Sequence, residues 1–187
     1  MPINFDLKEI KEKHNCINYL ETGMWNPEDD ISLKRALNID FEKLYCIELL
    51  DKWVNAGTKK FKEHIDNNRL KIIKDDSSNM YKYLNSDDFN NKTLFFLDAH
   101  VDNANITNFI KRCPLIDELK AIKNLNRKDN VILIDDLRIV TKGAWNEKSY
   151  GNINMFEECK KIITSINPDY KFERLNGHVE NDILYCY

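Results

Sequence analysis

At 187 residues the chain has room for one domain with a core of its own, without disulfide or metal staples. An apolar share of 42% and a charged share of 32% exclude a disordered chain. The net charge of -3 and a pI near 5.9 leave no basic stripe to neutralise phosphates, so nucleic acid is not expected as a partner. Five cysteines without paired spacing suit a reducing compartment better than a disulfide framework or a zinc site. The opening MPINFDLKEIKEKHN lacks the apolar stretch of a secretion signal, and no run is long enough to span a membrane. A cytoplasmic protein with no membrane partner is therefore expected.

In chain order, the first predicted strand is Ile17–Glu21. A helix follows, with Asn26 as cap, Pro27 in its first turn and Leu33, Ala36 and Leu37 on one face. Strand Lys43–Leu49 leads to a helix marked by Val54, Phe61 and Ile65, and strand Arg69–Lys74 to a short helix capped by Ser77 and running through Leu84. Strand Thr93–Asp98 contains TLFFLD, and strand Asn130–Asp135 contains VILID. Both runs are apolar without alternation, as in strands covered on both faces. Between them, Pro114 opens a helix with Leu115, Leu119 and Ile122 spaced i, i+4, i+7. A last helix carries Ile153, Phe156, Ile163 and Ile166 and stops before Pro168. Strands Tyr170–Leu175 and Asp182–Tyr187 flank Asn176-Gly177, a hairpin signal, so the final strand should run against the others. The expectation is a single α/β domain over residues 1–187: doubly wound, Rossmann-like, with a seven-stranded, mostly parallel sheet and an antiparallel last strand. No linker, internal repeat or low-complexity segment divides it.

Ligands of such sheets bind beyond the carboxyl ends of the strands, where the strand order reverses. Five successive strands end in acid: Glu21-Thr22-Gly23, Glu48, Asp76-Ser77, Asp98-Ala99-His100 and Asp135-Asp136. Loop solubility explains one or two of these carboxylates, and a site explains the set. A strand ending in ETG, then YCIEL, a D-S pair, LDAH and IDD together resemble the class I S-adenosylmethionine-dependent methyltransferases, from Ile17 to Tyr187. FFLDAH, CPLIDELKAI and ILIDDLR resemble a subgroup of small bacterial and viral methyltransferase-like proteins. LDAH and IDD are also similar to the metal-dependent O-methyltransferases of the catechol and macrolide-sugar type.

The resemblance implies a methyltransferase fold, S-adenosylmethionine as cofactor, and transferase activity. Carried over by position, Glu21, Thr22, Gly23 and Met24 would hold the methionine moiety, and Glu48 with Leu49 the ribose. Asp76 and Ser77 would face the adenine, and Asp98 would meet the cofactor. Asp98, Asp135 and Asp136 match metal-ligand positions for Mg²⁺ or Mn²⁺. The first loop departs from the pattern: Gly23 stands alone, followed by MWNPEDD, where several glycines are usual.

The residues themselves add constraints. Glu28, Asp29 and Asp30 after Pro27 place three carboxylates in a first helical turn, which would repel a pyrophosphate but not a sulfonium, and the single glycine fails the dinucleotide fingerprint. Converging carboxylates at neighbouring strand ends share a proton or bind an oxygen-preferring cation; alternatively, Asp136 caps the next turn. His100 is a candidate general base beside Asp98, against a purely structural hydrogen-bonding role. Trp25 and Trp145 should border the site, either stacking on ligand or packing a lid. Arg138 could hold an anionic substrate group or pair with Asp136. The loop Arg138–Gly151, with Gly143, is a candidate cover, and Val101–Arg112 is a second insertion at the same mouth. The leading reading is O-methylation of a small polar molecule, a sugar or related metabolite, with Asp98 and His100 as catalytic residues and a homodimer compatible with the chain. A metal-dependent hydrolase or lyase on the same fold is one rival. A degenerate, non-catalytic binding protein is the other.

Overall fold

The computed structural model describes residues 4–29, 31–101, 107–142 and 150–187. Its centre is a seven-stranded sheet in the order β3-β2-β1-β4-β5-β7-β6. Strands β1 (Asn18–Thr22), β2 (Lys43–Glu48), β3 (Leu70–Lys74), β4 (Thr93–Leu97) and β5 (Val131–Ile134) pair in parallel. β6 (Phe172–Leu175) and β7 (Ile183–Cys186) form the terminal hairpin, and β7 runs antiparallel to β5. The order reverses between β1 and β4.

Two-residue alternation divides the core into the two faces of the sheet. Leu20, Ile47, Phe95, Leu97, Ile132 and Ile134 join the cluster covered by α5 (Leu115–Lys123) and α7 (Met155–Ile166). Tyr19, Leu44, Cys46, Phe96, Val131 and Leu133 join the opposite cluster, covered by α1 (Leu7–His14) and α2 (Ser32–Leu37). β1, β4 and β5 are buried at every position, which is why β4 and β5 read as continuous apolar runs.

Several local expectations are corrected. The helix α1 was not foreseen; Asp6 accepts from Glu9 N–H at its start, and Asn15 ends it in the left-handed conformation. Pro27 does not open a helix. Asn26 Oδ1 accepts from Glu28 N–H at 3.2 Å, which makes 26–29 a side-chain-closed turn, and α2 begins only at Ser32. Glu28 and Asp29 therefore occupy a turn rather than a first helical turn, and Asp30 lies outside the described residues. The stretch from Val54 to Ile65 is two helices, α3 (Asp51–Lys60) and α4 (Lys62–Asp66), broken at Phe61. Ser77–Lys82 is a 3₁₀ helix whose cap is Asp76, not Ser77. A short helix, α6 (Leu137–Val140), follows β5. Among the described residues, no helix is long and apolar enough to cross a membrane.

Candidate functional site

At the carboxyl edge of the sheet, over the reversal between β1 and β4, the strand ends enclose a cavity of about 580 Å³. Gly23 forms its floor. Its φ of +83° is left-handed, and a Cβ there would stand 2.9 Å from the Asp98 carbonyl oxygen. The loop after β1 thus lies directly against the loop after β4, a contact only glycine permits.

On the β2 side, Glu48 is 5% exposed and lines the cavity. Its two oxygens accept from Trp25 N–H at 3.0 Å and Leu50 N–H at 2.8 Å. Burial pushes its pKa up, and these backbone donors oppose that shift. The carboxylate is fixed in place, with capacity for further donors. Leu49, Asp76 and Ser77 line the same half. Asp76 accepts from Ser78 N–H at 2.9 Å and from Ile110 N–H at 2.7 Å, so it also ties the segment after residue 107 across the cavity. Trp25, in a left-handed conformation and 54% exposed, stands at the rim 5.4 Å from the Trp53 ring.

On the other half, Asp98, His100 and Asp136 each offer a ligand atom within 4.8 Å of the others. The His100 ring is anchored by Nδ1, which lies 3.2 Å from the Asp98 carbonyl oxygen and 3.5 Å from Asp136 Oδ2. The Asp98 side chain is only 8% exposed, and its Oδ1 has no hydrogen-bond partner among the described residues. Burial and the neighbouring Asp135 charge hold its pKa well above the usual carboxylate range. Asp136 adopts φ +55°, a strained left-handed conformation for a residue with a side chain. Its Oδ1 lies 2.7 Å from Arg138 Nη1, and the same nitrogen pairs with the fully buried Asp182.

The structure thus brings together Gly23, Glu48, Leu49, Asp76, Ser77, Asp98, His100 and Asp136. Four other expected residues do not line the cavity. Glu21 shares the face of Tyr19 and points to the α2 side, where its Oε2 accepts from Tyr19 Oη at 2.7 Å and Ser32 Oγ at 2.8 Å. Thr22 is buried, and Met24 packs under α3 against Gly57. Asp135 is displaced from the expected metal set by His100. Its Oδ1 accepts from Asp136 N–H at 2.7 Å, and its carboxylate groups with Asp136 and Asp182 instead of Asp98 and His100. Trp145 and Gly143 lie outside the described residues.

Reasoning from the sequence missed Arg112, Asp182 and Glu118. Nothing in the local pattern singles out the first two. Glu118, however, shares the stripe of Leu115, Leu119 and Ile122, and a carboxylate on an apolar stripe was the available signal. It is 1% exposed beside the Thr22 and Ser77 hydroxyls, and burial pushes its pKa up to about 7 against their opposing influence. A carboxyl raised on folding takes up a proton as the chain folds. Its contribution is fully present below its unfolded value of 4.5 and is lost as pH rises through about 7. We expect Glu118→Gln to match the parent in stability near pH 4.5. At pH 8 it should exceed the parent by an amount on the order of 3 kcal/mol, read by urea denaturation. Parallel stability curves across that range would contradict a buried, proton-accepting Glu118.

No known family profile and no curated protein matches the sequence. Solved structures do. The chain is similar to an O-methyltransferase from Bacillus cereus in complex with SAH, at a TM-score of 0.60 and 15% identity, covering 96% of this chain and 77% of that one. It is similar to the SAM-bound O-methyltransferase TomG of Streptomyces achromogenes, involved in tomaymycin synthesis, at 0.60 and 14%, covering 96% and 76%. An SAH-bound methyltransferase of Podospora anserina aligns at 0.56 and 16%, covering 95% and 74%.

Proposed function

We propose that this chain, which has the class I S-adenosylmethionine-dependent methyltransferase fold, transfers a methyl group from S-adenosylmethionine to a hydroxyl of a small polar molecule. The observation that carries this reading is the pairing, in one cavity across the strand reversal, of the fixed Glu48 carboxylate with the Asp98–His100–Asp136 group. Glu48 would accept the two ribose hydroxyls, and Gly23 lets the backbone pass close to the methionine end. The sulfonium would then lie towards β4, near Asp98.

Methyl transfer is an in-line displacement: the acceptor oxygen forms a bond to the methyl carbon as the carbon–sulfur bond breaks, leaving a neutral thioether. The cavity contributes orientation and exclusion of water. The hydroxyl proton must also leave. In the tautomer that donates Nδ1–H to the Asp98 carbonyl, Nε2 is the nitrogen that would accept that proton, with His100 as general base. Asp136, paired with Arg138, faces the same ring and stabilises the imidazolium that results.

A second reading rests on the buried Asp98 Oδ1, which has no hydrogen-bond partner among the described residues. Asp98, His100 and Asp136 form a mixed oxygen and nitrogen set that fits a divalent cation such as Mn²⁺ or Mg²⁺. When bound, the ion would polarise the acceptor hydroxyl and so replace the imidazole as its activator. Thermal-shift titration tests both readings: S-adenosylhomocysteine should raise the melting temperature and NAD⁺ should not. Added Mn²⁺ should raise it further only if the cation reading holds. A chain that responds to neither compound nor metal would contradict the proposed function.

A further inference from the structure

Two arginines of the β4–β5 half have guanidinium nitrogens that the methyl-transfer reading does not use. Arg112 is fixed by its inner nitrogen: Nε donates to the Val101 carbonyl at 2.8 Å, while Val101 N–H donates to the Arg112 carbonyl at 2.8 Å. Among the described residues its two terminal nitrogens have no partner, and no carboxylate pairs with it. Arg138 is anchored differently. Both of its carboxylate partners, Asp136 and Asp182, take the same nitrogen, Nη1, and Asp182 also accepts from Arg138 N–H at 2.9 Å. Nε and Nη2 are left without partners among the described residues, on a side chain 33% exposed at the cavity wall.

Each guanidinium is therefore held by one edge, and both side chains line the cavity. Each is one residue removed from His100: Arg112 holds its neighbour Val101, and Arg138 holds Asp136, 3.5 Å from the ring. Lys111, whose ammonium lies 4.8 Å from the Tyr150 ring centre, adds a third cation to the lining. The other lining carboxylates, Glu48, Asp75 and Asp76, belong to the ends of β2 and β3. The charged lining therefore differs between the two halves: carboxylates alone where the cofactor's hydroxyls would sit, and Arg112, Arg138 and Lys111 set beside Asp98 and Asp136 where an acceptor would enter. Pre-fixed guanidinium edges suit a planar or tetrahedral oxyanion, because the ordering of a long side chain is already complete before binding.

We infer that the acceptor molecule carries an oxyanion, of the carboxylate or phosphate class, which docks on Arg112 and Arg138 and presents a neighbouring hydroxyl to His100. The inference rests on the methyltransferase reading for what happens to that hydroxyl, but the anion site stands on its own geometry.

The test uses the full chain in two arms at constant ionic strength set with sodium chloride. In the first, S-adenosylhomocysteine is titrated by calorimetry, which reads the methyltransferase assignment alone. In the second, inorganic phosphate and, separately, acetate are titrated into the protein with and without S-adenosylhomocysteine, following stability and heat. Saturable binding of at least one anion is expected, weakened at least tenfold in Arg112→Gln and by a smaller factor in Arg112→Lys, which keeps the charge but not the fork. S-adenosylhomocysteine affinity should change less than twofold in both variants. Phosphate stronger than acetate would mark a phosphorylated acceptor, and the reverse a carboxylate. Absence of saturable binding of both anions, or equal binding by parent and a folded Arg112 variant, would overturn the inference. If Arg112→Gln does not fold, Arg112→Lys decides alone. Anion binding without S-adenosylhomocysteine binding would keep the oxyanion site and remove the methyl donor.

Discussion

Glu48→Ala is expected to weaken S-adenosylhomocysteine binding by about 100-fold, the largest single loss of affinity in the molecule. The carboxylate is buried at the cavity wall and held at both oxygens by the N–H groups of Trp25 and Leu50. A ligand meeting it pays little to order it. Each hydrogen bond to a charged acceptor contributes about 1.5–3 kcal/mol, so losing two ribose contacts reaches that range even with some replacement by water. Glu48→Gln separates binding from loop support: it retains an oxygen for one backbone donor and should fall between the two. Calorimetry on the three proteins checks this. Equal affinities would move the ribose away from β2.

His100→Ala should lower turnover by about 10²–10⁴-fold, the usual range for removing a general base, while the KM for S-adenosylmethionine changes little. The ring sits on the β4–β5 half of the cavity, so its loss touches the acceptor and not the adenosine. Transfer of labelled methyl to a hydroxyl-bearing carboxylate or phosphate gives the rate. A pH–rate profile that keeps its acidic limb in the variant would assign the proton to another group.

The sheet was legible because its central strands are buried on both faces. TLFF and VILI carry that burial as unbroken apolar runs, and Asn176-Gly177 marks the hairpin that reverses β7. The ends of those strands were therefore locatable, and with them Gly23, Glu48, Asp76, Ser77, Asp98, His100 and Asp136. Which way each side chain turns was less legible. Glu21 follows Tyr19 by two residues and so shares its face, but the loop that begins at Gly23 disguised that parity. Asp135 and Asp136 are adjacent in sequence and read alike. The left-handed turn at Asp136 sends one carboxylate into the cavity and leaves the other bonded to the backbone. Asp182 was invisible because its role comes from a contact with Arg138, 44 positions away, and Arg112 because its anchor is a backbone carbonyl, that of Val101, which leaves no mark in the sequence. The helix α1 had a readable signal, Asp6 three residues before Glu9, a spacing typical of a helix start. Pro27 misled because proline after asparagine serves a turn as well as a first helical turn.

The central claim is that one cavity holds the adenosine on Glu48 and turns the sulfur towards Asp98 and His100. A crystal structure of the chain grown with S-adenosylhomocysteine measures this directly. The account predicts both ribose hydroxyls within hydrogen-bond distance of the Glu48 carboxylate, the sulfur over Gly23, and open space between the sulfur and His100 Nε2 for an acceptor oxygen. Density for the ligand elsewhere, or a ribose that leaves Glu48 bound only to Trp25 and Leu50, would contradict it.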